Sequence, residues 1–151
     1  MNPGRLLAVA LLAGGVAAAW AVSPAPAPLL PDSFQWFSPP NLPGLRAAWV
    51  IGAEKDSGSY LLRVELAKGA WIPPHTHPDE RSSTVLSGTL YVGFGEVADE
   101  ASLVAIPAGG VYVAPANVPH YLWAKDGDVV YQESGMGPTA TSPVRREGGT
   151  P

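Results

Sequence analysis

Gly69-Ala70-Trp71-Ile72-Pro73-Pro74-His75-Thr76-His77-Pro78-Asp79-Glu80-Arg81 and Gly109-Gly110-Val111-Tyr112-Val113-Ala114-Pro115-Ala116-Asn117-Val118-Pro119-His120 contain all three histidines of the chain. Side chains alternate along an extended strand, so an H-x-H pair puts both imidazoles on one face. Two imidazoles side by side form a natural chelate for a divalent metal. A third ligand must come from elsewhere in the fold, and His120 is the one histidine left. The spacing alone leaves two readings open: three ordinary polar side chains, or a metal site.

Around these stretches the chain reads as short apolar runs split by Gly, Pro, Asp and Ser. The pattern predicts eight strands, at Leu45–Ile51, Tyr60–Leu66, Ser83–Leu86, Thr89–Phe94, Leu103–Ile106, Val111–Ala114, Tyr121–Ala124 and Val129–Glu133. Strands at this spacing, with turn residues between, indicate an all-β sandwich or barrel. The one helix expected in the body is short, Glu96–Ala101. Phe34-Gln35-Trp36-Phe37 is too aromatic for a free linker and is expected to clip onto the domain as an edge strand.

The N-terminus has a different character. A single Arg5 is followed by Leu6 to Val22, 17 residues without a charge, and then by Ser23-Pro24-Ala25-Pro26-Ala27-Pro28. This is the form of a secretory signal, with Ala19-Trp20-Ala21 as the cleavage site. The alternative is an uncleaved membrane anchor, for which 17 residues is the lower limit. The chain therefore divides into a signal peptide over 1–21, a Pro-rich linker over 22–33, a β-barrel domain over 34–134 and a flexible tail over 135–151. The expected location is secreted or periplasmic.

Composition removes several classes of function. The chain has 151 residues, 15% of them charged, and a net charge of −4, which argues against a nucleic-acid partner. It has no cysteine, which excludes disulfides, thiolate metal sites and a cysteine nucleophile. No G-x-S-x-G, phosphate-binding P-loop or H-E-x-x-H sequence occurs.

The spacing of the two stretches resembles the motifs of the single-domain cupin family. Gly69, five residues, His75-x-His77 and the later Gly88 match the first motif, and Gly109, five residues, Pro115, Asn117 and His120 match most of the second. The resemblance covers residues 69–124. It implies a single jelly-roll β-barrel in which His75, His77 and His120 converge on a divalent metal such as Fe, Mn, Zn or Ni. It also implies a small-molecule ligand, dioxygenase- or isomerase-like chemistry, and pairing into a homodimer, for which Phe34–Phe37 offers an aromatic edge.

The chain departs from those motifs in informative places. Arg81 stands where the first motif has its metal-binding Glu, and Glu80 is one residue out of step. On a strand that offset turns Glu80 to the opposite face unless a bulge intervenes. Asn117 replaces a Gly of the second motif, a mild change because Asn tolerates positive φ. Ala124 replaces a final Asn. Three outcomes are open: three histidines hold the metal alone, Glu80 or Asp79 completes the set, or the metal is absent and Arg81 binds an anionic or sugar-like ligand without catalysis. One of Gln132 and Glu133 must face inward on the last strand, and Gln132 is assigned to the pocket with Arg81.

Overall fold

The computed structural model describes residues 27–145. The signal segment, residues 22–26 of the linker and residues 146–151 lie outside the described residues. Ten strands form two antiparallel five-stranded sheets. The strands are β1 (Leu45–Ile51), β2 (Gly58–Leu66), β3 (Trp71–Thr76), β4 (Arg81–Ser87), β5 (Thr89–Phe94), β6 (Val104–Pro107), β7 (Val111–Ala114), β8 (His120–Trp123), β9 (Val129–Gly137) and β10 (Ser142–Pro143). One sheet runs β1-β2-β9-β4-β7 and the other β10-β3-β8-β5-β6. This is the all-β jelly-roll barrel that the strand spacing implies.

Alternation explains most of the wall. Along β2, Tyr60, Leu62, Val64 and Leu66 are buried while Leu61, Arg63 and Glu65 lie between them, partly exposed. Val85, Leu90, Leu122 and Val129 are at most 1% exposed and anchor the apolar part of the interior. Each such side chain contributes about 1.5–3 kcal/mol relative to leaving it in water.

The structure adds an element that the sequence pattern misses. β3 carries Pro73 and Pro74, which cannot donate to a ladder and so argue against a strand. The chain is extended there nonetheless. Its pairing with β8 runs Trp71↔Trp123 and Ile72↔Leu122, slips across the prolines, and resumes at His75↔His120. The irregularity absorbs the two missing donors.

Both ends of the body also differ from expectation. Phe34–Phe37 makes a single bridge, Phe37↔Ala47, rather than an edge strand. The helix expected at Glu96–Ala101 reduces to one 3-10 turn over Glu100–Ser102, where Asp99 accepts a hydrogen bond from the Ala101 N–H. The boundary expected at 134 falls inside β9, and residues 135–143 belong to the wall rather than to a flexible tail. β10 pairs with β3 (Pro143↔His75), the Val144 N–H donates to the Pro74 carbonyl, and the Thr139 N–H donates to the Glu54 carbonyl.

Two turns depend on unusual backbone. Gly88, between β4 and β5, has φ +76, and a Cβ there would lie 2.3 Å from the Asp128 carbonyl oxygen. Asn117 has φ 61, the left-handed value that Gly would supply at that motif position. Its N–H donates to the His77 carbonyl at 2.7 Å, tying the second motif to the first.

Candidate functional site

His120 sits on β8, directly opposite His75 on β3, and His77 follows two residues on. The ring centroids lie 4.3 Å apart for His75 and His120, 4.8 Å for His75 and His77, and 5.2 Å for His77 and His120. All three are buried. Among the described residues they are the one group of side chains that could hold a metal ion, with ligand atoms within 4.8 Å of one another.

Backbone carbonyls set the tautomer of each ring. His75 Nδ1 lies 2.8 Å from the Pro73 carbonyl, His77 Nδ1 2.8 Å from that of Ala140, and His120 Nδ1 3.1 Å from that of Val118. A carbonyl can only accept, so each Nδ1 carries the hydrogen and each Nε2 keeps its lone pair. The Nε2 atoms of His77 and His120 are buried without a hydrogen-bond partner. Burial pushes the His75 imidazole down to about 4, assisted by the neighbouring His120, and the His77 imidazole down to about 3, assisted by Arg81. Burial also lowers His120. All three rings are therefore neutral at pH 7. Neutral imidazoles with inward lone pairs and fixed outer nitrogens are the donor set that divalent transition metals take.

Register decides the position that sequence left open. Arg81, not Glu80, faces inward: Arg81 is 4% exposed and Glu80 lies on the surface just before β4. Glu80 is thus outside the histidine group, and no bulge returns it. Asp79 is engaged elsewhere, accepting from the Tyr60 hydroxyl at 2.5 Å and from Thr139.

The last strand likewise selects Glu133 over Gln132. Val129, Tyr131 and Glu133 form the buried row of β9. Gln132 faces the other way and accepts from Arg63 at 2.7 Å, so its assignment to the pocket is corrected to Glu133. Alternation from Val129 would have identified Glu133 from sequence.

Arg81 is already paired. Its Nη1 donates to Glu133 at 2.8 Å, its Nη2 donates to Thr139 at 2.7 Å, and its Nε is 3.6 Å from an Asp79 carboxylate oxygen. Its guanidinium also lies 5.5 Å from the Tyr60 ring centroid. Burial pushes the Glu133 carboxyl up, while Arg81 opposes the shift. Thr139 comes from the segment expected to be a loose tail, as does the Ala140 carbonyl that orients His77. The sequence offered no signal for either.

Beside the histidines is a cavity of about 510 Å³. His75, His77, Arg81 and Glu133 line its polar end, and Leu42, Trp49, Leu62, Ile72 and Tyr131 line much of the remainder. His120 is not part of the lining and packs against His75.

Known proteins share this arrangement of strands and motifs. Residues 62–133 match the model of the cupin domain. The rice (Oryza sativa subsp. japonica) germin-like protein 3-1 is 35% identical over 81 residues, 53% of this chain and 36% of the relative. The chain thus spans about a third of the length of that relative. Two solved structures share the fold. The polyketide cyclase RemF from Streptomyces resistomycificus aligns with a TM-score of 0.67 and 14% identity, covering 82% of this chain and 89% of that one. The DMSP lyase DddQ from Ruegeria pomeroyi aligns with a TM-score of 0.64 and 18% identity, covering 78% and 64%. The motif matches, the two five-stranded sheets and these comparisons agree that the chain carries a single cupin domain.

Proposed function

We propose that this cupin is an exported, metal-dependent enzyme that converts a small organic molecule in the barrel cavity by dioxygenase- or isomerase-like chemistry. The observation that carries the reading is the set of three neutral, buried histidines, each held through Nδ1 by a backbone carbonyl, with the Nε2 atoms of His77 and His120 lacking partners. A buried nitrogen without a partner costs free energy, and a bound cation removes that cost. His75, His77 and His120 would hold the ion with no carboxylate, which suits Zn²⁺ with an open position and also Fe, Mn or Ni. When bound, the metal supplies a Lewis acid toward an oxygen of the substrate.

The chain's own groups do the remainder. Leu62, Ile72 and Tyr131 keep water from the cavity wall. Glu133, held in place by Arg81, presents a carboxyl group at the polar end that can hold or accept a proton. The alternative, a non-catalytic pocket anchored on Arg81 as an anion receptor, is less well supported, because Glu133 and Asp79 already compensate that charge. Export rests on the apolar run Leu6–Val22 after Arg5.

Elemental analysis of the purified chain beside His75→Ala and His120→Ala variants tests the reading. Near-stoichiometric metal in the parent and none in the folded variants is expected. A parent chain that takes up no Fe, Mn, Zn or Ni overturns it.

A further inference from the structure

We infer that the cavity takes a flat, largely apolar molecule bearing one hydroxyl or carbonyl group, of the aryl alcohol or aryl ketone class, and rejects sugar phosphates and other polyanions. The inference rests on the reading that this cavity is the substrate site.

Polarity within the cavity is segregated. Its polar end is His75, His77 and the Arg81–Glu133 pair, and the opposing surface is Leu42, Trp49, Leu62, Ile72 and Tyr131. A ligand that fills both regions has an apolar body and a polar group at one end. A polyol would leave most of its hydroxyls against side chains that offer no partner, and each unpaired buried hydroxyl weakens binding. A phosphate needs an uncompensated cation. Arg81 is the cation of the cavity lining, and its three nitrogens face Glu133, Thr139 and Asp79. With two carboxylates around one guanidinium, the polar end repels a polyanion rather than attracting it.

Size and shape favour a ring system. The volume of about 510 Å³ lies within the range for small-molecule sites, roughly 300–1,000 Å³. Trp49 and Tyr131 contribute aromatic surface, and exposed Phe37 contributes more at the edge. Aromatic walls gain most from offset or edge contacts with a second aromatic group.

Calorimetric titration of the full chain with naphthalen-2-ol and with glucose 6-phosphate tests the inference, with the protein first chelator-treated and then loaded with Zn²⁺. Naphthalen-2-ol is expected to bind at least about tenfold more tightly than glucose 6-phosphate. Trp49→Ala is expected to weaken it by about tenfold, and Leu42→Ala, which lies outside every strand, by a smaller factor. Tighter binding of glucose 6-phosphate overturns the inference, as does naphthalen-2-ol affinity that both folded variants leave unchanged. Naphthalen-2-ol binding without Zn²⁺ uptake upholds the inference while the metal reading fails. Zn²⁺ uptake lost in His75→Ala, with no naphthalen-2-ol binding, overturns the inference while the metal reading stands.

Discussion

Asn117 and His77 belong to different motifs, 40 residues apart in sequence, and are joined by a 2.7 Å hydrogen bond from the Asn117 N–H to the His77 carbonyl. The bond forms because Asn117 adopts φ 61, which turns its N–H toward β3. The backbone beside one histidine is thereby held to the loop that leads into another, His120.

Asn117→Gly should therefore preserve both the fold and the site, since Gly reaches the same φ without strain. Asn117→Val should cost about 1–2 kcal/mol or more, because a β-branched residue is strained in the left-handed region. Denaturant unfolding of the two variants checks this, and equal stability would contradict it.

Arg81→Met should be severe. It leaves the buried Glu133 without its 2.8 Å partner and removes the cation beside Asp79. Breaking one side of a buried ion pair costs about 3–5 kcal/mol. The double variant Arg81→Met/Glu133→Leu should recover a large part of that loss. A double-mutant cycle by chemical denaturation measures the coupling, and strictly additive losses would argue against the pair.

Gly88→Ala should destabilise the β4–β5 turn. The added Cβ meets the Asp128 carbonyl oxygen at 2.3 Å and the backbone must hold φ +76. A fall in melting temperature is expected, whereas Gly69→Ala, with no atom within 4 Å of its Cβ but φ +83, should suffer only the backbone strain. Scanning calorimetry of the two variants ranks them.

Acid should weaken the metal-free protein. His75 and His77 are held down to about 4 and 3 by burial, against an ordinary value of 6.5. The unfolded chain takes up these protons first, so stability is complete above pH 6.5 and is lost as pH falls toward 4 and then 3. Glu133, raised by burial, acts in the opposite sense but is one group against three. Urea unfolding of chelator-treated protein should show a lower midpoint at pH 4.5 than at pH 7. An unchanged midpoint would mean that the imidazoles are not buried as described.

Much of the barrel was legible because alternation is local. β1, β5 and β7 lie where the apolar pattern put them, since strand residues facing a core announce themselves every second position. The three histidines were legible for a similar reason, as their spacing from fixed glycines and a proline is a one-dimensional quantity. β3 was not legible, because Pro73 and Pro74 weaken the local propensity and only pairing with β8 and β10 keeps the segment extended. The choice of Arg81 over Glu80, and of Glu133 over Gln132, turns on the register of one residue, which neighbouring strands set. Thr139 and the Ala140 carbonyl reach the site from a stretch that looks featureless in sequence, and only the docking of β10 on β3 brings them there.

The sequence by itself thus determined the all-β class, the eight principal strands and the residues able to bind a metal, because composition, period and spacing are properties of the chain. The tertiary structure alone decided which charged side chains enter the barrel and how they are paired. Burial of a charge is settled by contacts between segments that are far apart in sequence, and Arg81 lies 52 residues from the Glu133 that neutralises it.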